Sequence, residues 1–239
     1  MTDKYIMSRV RILSYDCADR SLAVCWANVD TAIRRRILQI YSTYICHGKC
    51  HTYDDNEQLA RIRQLAMDLN TVLDDWIRIR KLSVYDNTKG LKTDIVIRSQ
   101  ALIDCLKTVD SYIDDRGGID YVLVEYQMPQ NIKSRAVMVQ IVMWYLAKGY
   151  KVYVPGPSLK NKIYFAPHLI HQNFMEQASR PYEANKNHCK ANMTHWLKIY
   201  GLEKFLVGVA TKNYDDLADS FMQIHGWLYC NDNCPVATY

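Results

Sequence analysis

The chain has 239 residues, enough for one large domain with its own core. Hydrophobic residues make up 49% and only 9 positions are glycine, which excludes a disordered or fibrous chain. Lys and Arg total 30 against 25 Asp and Glu, and this net charge of +5 permits a polyanionic partner without naming one. The start, MTDKYIMSRV, has no apolar run of signal-peptide length, and the longest apolar stretch, 136–147, contains Gln140 and is too short to span a bilayer. The expectation is a soluble intracellular protein with no membrane partner. Its 8 cysteines are then expected to be free thiols. Cys46 and Cys50, and Cys230 and Cys234, have three intervening residues, a spacing compatible with zinc but looser than a two-residue knuckle.

In chain order, RVRILSY ending at Asp16, then SLAVCWANVD, then RRRILQIYSTYI read as three strands of a meander. From Asp54 the pattern changes. Leu59, Ile62, Leu65, Leu69, Val72, Trp76 and Ile79 recur at three- and four-residue steps and predict an amphipathic helix. A turn with Asn87 and Gly90 follows, then a second helix over 94–114, ended by Gly117 and Gly118. YVLVEY, 121–126, is a short continuous apolar strand of the buried parallel kind. A strongly apolar helix over 133–148 follows, then the strand KVYVPGP, and finally helices over 184–200 and 215–229. Strands followed by βα units around one sheet predict a mixed-sheet α/β domain.

Four carboxylates stand out. Asp16 ends the first strand, and Glu125 lies near the end of the fourth, where α/β sheets place their chemistry. Asp216 and Asp219 are three apart, on one face of the last helix. Singly, each has an ordinary explanation as a turn former or a helix-start charge. Together they form a constellation for hard divalent cations. Two such ions about 4 Å apart can activate water and stabilise the leaving oxygen of a phosphodiester.

ILSYDCADRSLAVC resembles the first strand and hairpin of the RuvC-like Holliday-junction resolvases, which have the ribonuclease H fold. VEYQMPQNIKSRAVMVQIVMWYLAKGYKV, PSLKNKIYF, NKNHCKANMTHWL and KNYDDLADSFMQIHGWL resemble the later motifs, in order, most closely those of the poxvirus type found in large nucleocytoplasmic DNA viruses. The resemblance covers 9–46 and 119–229. Ala18 stands where that pattern usually has Gly, and Ser21 where it usually has Asn; Asp19 adds a carboxylate.

The resemblance implies a single domain over 1–239 with a ribonuclease H-like mixed five-stranded sheet flanked by helices. A helical insertion, 47–118, would separate strand 3 from strand 4. Asp16, Glu125, Asp216 and Asp219 would hold two Mg²⁺, with Mn²⁺ as a substitute and no small-molecule cofactor. The activity implied is structure-selective cleavage of four-way DNA junctions by a homodimer, leaving a 5′-phosphate and a 3′-hydroxyl. For a viral member the setting would be host cytoplasm at replication sites. Gln127, Gln130, Asn131, Lys133, Arg135, Lys160, Lys162 and Lys186 would touch DNA, with Tyr126 and Tyr164 as stacking candidates. In that fold Cys230 ends a helix leading about 21 Å away from the active-site end, where Cys46 and Cys50 would lie, so one shared zinc site is not expected. The insertion carries Arg61, Arg63, Arg78, Arg80 and Arg98, which would extend the DNA or dimer surface. Two rivals are another ribonuclease H-fold nuclease, acting on RNA–DNA hybrids or as a transposase-like enzyme, and a non-catalytic junction-binding protein.

Overall fold

The computed structural model describes residues 9–18, 21–30, 77–86, 94–162, 181–199 and 201–230. Strands β1 (Arg9–Cys17), β2 (Ser21–Asp30), β3 (Ile77–Asp86), β4 (Tyr121–Val124) and β5 (Lys151–Tyr153) form a sheet in the order β3-β2-β1-β4-β5. β1, β2 and β3 pair antiparallel, whereas β4 lies parallel to β1 and β5 parallel to β4. Among the described residues, helices α1 (Ile95–Asp114), α2 (Ile132–Ala147), α3 (Pro181–Ile199) and α4 (Tyr214–Cys230) flank it. This is a mixed α/β fold with a helical layer on each face.

The central strands are apolar on both faces because both are covered. Ile12, Ala23, Cys25, Tyr121 and Leu123 form one core with Trp196, Leu217, Phe221 and Leu228 of α3 and α4. Leu13, Tyr15, Val24, Trp26, Val122 and Val124 form the other, with Leu102, Leu106, Val109, Ile141 and Tyr145 of α1 and α2. Strand alternation thus assigns Tyr15 to the α1/α2 side, and Ile12, with Asp16 in phase, to the α3/α4 side.

The second helix of the sequence reading is α1. Its cap, Asp94, accepts the backbone N–H groups of Val96 and Ile97 at 2.7 and 3.4 Å.

The helix predicted to run through Ile79 is corrected at its end, because Ile77–Asp86 is a strand. Its register on β2 shifts between Trp26 and Ala27: Trp26 faces Lys81 while Ala27 faces Ile79, so Arg80 is the extra residue of a bulge. The bulge breaks the two-residue alternation. Ile77 and Ile79 oppose Val29 and Ala27, whereas Leu82 and Val84 oppose Cys25 and Ala23. The span 47–118 is therefore not a purely helical insertion: it supplies a sheet strand and α1. The predicted strand over 34–45, Arg61, Arg63, Cys46 and Cys50 lie outside the described residues. Among the described residues no helix is long and apolar enough to cross a membrane. Cys17, Cys25, Cys105 and Cys189 are buried and form no disulfide.

Candidate metal centre

Asp16 lies at the carboxyl end of β1. β4 runs parallel beside it, so its chain leaves the sheet at the same edge. The backbone N–H of Glu125 donates to the Tyr15 carbonyl at 3.1 Å, extending the ladder one residue past the strand and setting Glu125 beside Asp16. α4 packs on β1 and β2 and brings Asp219 beside these two carboxylates. Asp16, Glu125 and Asp219 are 7%, 5% and 4% exposed. Each offers a carboxylate oxygen, and the three oxygens lie within 4.8 Å of one another.

Lys160 enters the same cluster. It stands on a short turn, Leu159–Lys162, that follows the Pro155-Gly156-Pro157 segment. Its ammonium donates to Glu125 Oε1 at 2.9 Å and to Asp219 Oδ2. Asp219 Oδ1 is buried and has no hydrogen-bond partner among the described residues.

Burial pushes the Asp16 carboxyl well above the usual carboxylate range, and the charges of Glu125 and Asp219 push it further. Burial also raises Asp219, against the opposing pull of Lys160. Burial would lower the Lys160 ammonium, but Asp219, Glu125 and Asp16 outweigh it and hold its pKa above the ordinary lysine value. Burial, then the charge of Asp219, raises the nearby Cys189 thiol well above its usual range and keeps it protonated.

Three buried carboxylates against one ammonium leave the cluster short of positive charge. An all-oxygen donor set with an unpartnered buried oxygen fits a hard divalent cation. A cleft of about 530 Å³ opens over it, lined also by Tyr126, Gln127, Asn131, Ser134, Lys186 and Asp216.

The structure thus brings three of the four predicted ligands together. Asp216, one helical turn before Asp219, lines the cleft outside the triad, and its Oδ2 accepts the Ser21 hydroxyl at 2.7 Å. Of the predicted DNA contacts, Gln127, Asn131 and Lys186 line the cleft. Gln130, Lys133 and Arg135 are exposed on the entry to α2 and at its start. Lys186 and Lys190 both pair with Asp215, at 3.4 and 3.0 Å. Lys160, also a predicted DNA contact, lines the cleft as well, with its ammonium bonded to Glu125 and Asp219. Lys162 ends the turn, while Tyr164 and Asp19 lie outside the described residues. The sequence reading missed Ser134, Asn161 and Asn185 in the cleft wall, which no periodicity marks.

No protein-family profile matches the sequence, and no curated protein matches it. Solved structures do match in fold. Fowlpox virus resolvase, solved with its substrate Holliday junction DNA, is similar with a TM-score of 0.50 and 14% identity, over 92% of this chain and 97% of that one. T. thermophilus RuvC, solved with a Holliday junction substrate, aligns at a TM-score of 0.46 and 10% identity, over 91% and 94%. The resemblance drawn from the sequence motifs therefore holds at the level of the fold.

Proposed function

We propose that this protein is a metal-dependent endonuclease that resolves four-way DNA junctions. The observation that carries this reading is the buried triad Asp16, Glu125 and Asp219, with an unpartnered oxygen on Asp219, at the strand-end edge of the sheet. The likeness of fold to a protein solved with its Holliday junction supports the choice of substrate.

The triad would hold Mg²⁺ or Mn²⁺, with Asp216 completing the set from the rim. Bound there, such ions would supply Lewis acidity for activating water and stabilising a leaving oxygen. Lys160 holds Glu125 and Asp219 in place by its two hydrogen bonds and limits their mutual repulsion. Asp16 and Glu125 stand on adjacent parallel strands, so their separation is fixed by the ladder rather than by flexible loops. Gln127, Asn131, Ser134 and Lys186 give the cleft wall polar donors that suit a phosphodiester backbone. Tyr126 on that wall suits stacking on an unpaired base at the junction centre.

A four-way junction has two-fold symmetry, and paired cuts call for two sites related by that axis, hence a homodimer with an isologous interface. Val139, Met143 and Leu146 form an exposed apolar stripe along α2 that suits such an interface. The chain is read as one nuclease domain throughout.

The test is digestion of a synthetic four-way junction with Mg²⁺, mapped on both strands, beside an RNA–DNA hybrid duplex. Symmetric paired nicks in the junction alone are expected. Cutting of the hybrid alone, or binding without cutting, would reject the assignment.

A further inference from the structure

Gly226 lies in the interior of α4, is fully helical in conformation, and is neither at a cap nor at a positive φ. Glycine is among the poorest helix formers, so its place there asks for another cause. The cause is space. A Cβ at Gly226 would come within 2.8 Å of the Leu159 carbonyl carbon, and nearer still to its oxygen, closer than real Cβ atoms approach backbone. The turn Leu159–Lys162 therefore seats directly on the α4 backbone at Gly226, with Leu159 packed against the core on that face. Asp219 precedes Gly226 by seven residues, two turns of helix, so both lie on one face of α4. The residue next to Leu159 is Lys160, whose side chain is 13% exposed and bonded to Glu125 and Asp219.

We propose that Gly226 is a positioning residue: its missing side chain seats Leu159 on α4 and so holds the Lys160 ammonium between Glu125 and Asp219. The obstruction is backbone, so no change of rotamer relieves it. Any side chain at position 226 lifts the turn and withdraws Lys160. The effect on cleavage rests on reading the cluster as the cleavage centre; the effect on the position of Lys160 does not.

The experiment compares the full-length protein with Gly226→Ala, Lys160→Ala and the double variant, by two readouts. The first is acetylation of individual lysines by a succinimidyl ester, followed by peptide mass spectrometry. Lys160 is expected to be protected in the parent and to react like the exposed Lys133 and Lys198 in Gly226→Ala, with Lys186 and Lys190 unchanged. The second is single-turnover junction cleavage alongside junction affinity. Gly226→Ala should lower the rate about 100-fold, the scale of an ångström-sized misplacement, with affinity unchanged. In the Lys160→Ala background the same change should lower it no further. A Lys160 that stays protected in Gly226→Ala, or a loss that adds in full to that of Lys160→Ala, overturns the proposal. A parent protein that cuts no junction rejects the cleavage reading, and the acetylation pattern still decides the seat. Should Gly226→Ala not fold, Leu159→Ala loosens the same seat from the other side. Exposure of Lys160 in that variant supports the proposal and continued protection overturns it.

Discussion

The ammonium of Lys160 lies 2.9 Å from Glu125 Oε1 and also donates to Asp219, so one cation serves two of three clustered carboxylates. Removing one partner of a buried ion pair leaves the other uncompensated, at roughly 3 kcal/mol or more. Lys160→Met keeps the apolar stem and removes the charge. In EDTA it should unfold at a clearly lower temperature than the parent, and Mg²⁺ should recover part of the loss. An equal loss with and without Mg²⁺, read by thermal unfolding, would show that Lys160 does not balance the carboxylates.

The pH dependence follows from the raised Asp16 and Asp219 carboxyls, burial being the main cause of both. A folded pKa above the unfolded one means that the native state binds more protons in that interval. Stability from these groups is full below the unfolded pKa and is lost as pH rises through the folded value. Divalent cations need the ionised carboxylates, so their stabilisation grows in the same direction. At a hundredfold excess over the dissociation constant it amounts to about 2.7 kcal/mol. Melting with and without Mg²⁺ should therefore show a larger upward shift at about pH 8 than at about pH 5. An equal shift at both would place the cation elsewhere.

Asp219→Asn keeps the size of the side chain and removes its charge from the triad. Cleavage should fall about 1,000-fold or more, equivalent to some ~4 kcal/mol of transition-state stabilisation, while gel-shift affinity for the junction stays close to that of the parent. Undiminished cutting by this variant would sink the metal-centre assignment.

On the opposite face of β1, the Tyr15 and Tyr145 hydroxyls lie 2.5 Å apart. Tyr145 donates onward to Asp110 at 3.0 Å, and Asp110 also accepts from Trp144 Nε1 at 2.9 Å and from Lys148. This buried network ties α1 and α2 to the strand residue before Asp16. Tyr15→Phe removes one hydrogen bond, at about 1 kcal/mol, whereas Asp110→Ala strands several donors and should destabilise by about 3 kcal/mol. Urea unfolding with an unchanged slope reads both. Equal, small effects would mean that the network is not coupled.

The exposed α2 stripe includes Met143, 60% exposed. Met143→Glu places a charge there and should convert a dimer into a monomer in sedimentation equilibrium, with the thermal midpoint of the monomer retained. A parent protein that sediments as a monomer removes the stripe as the interface.

Much of the architecture was legible along the chain, because β1, β2 and β4 are short apolar runs and the helices longer apolar or amphipathic segments, each with clear ends. Asp94 capping α1, and Gly117 and Gly118 ending it, are local chemistry that needs no partner to be read. β3 was not legible: the extra residue Arg80 throws its alternation out of phase, and only pairing with β2 restores the register. The four proposed ligands stand out at two strand ends and on one helix face, since a carboxylate in an apolar run is conspicuous in any sequence, and three of them meet in the structure.

What the chain alone could not decide is which charges meet. Asp216 and Asp219 look equivalent by spacing, yet a turn of helix takes Asp216 to the rim, where it accepts the Ser21 hydroxyl, and Asp219 into the triad. Lys160 looks like any surface lysine after a Pro-Gly-Pro turn. Its burial among carboxylates depends on the close seat of Leu159 on Gly226, 67 residues downstream. Sequence determined the elements and the chemical inventory, because periodicity and residue type are local. Tertiary structure decided the pairing of charges, because burial and distance are set by packing between elements remote in the chain.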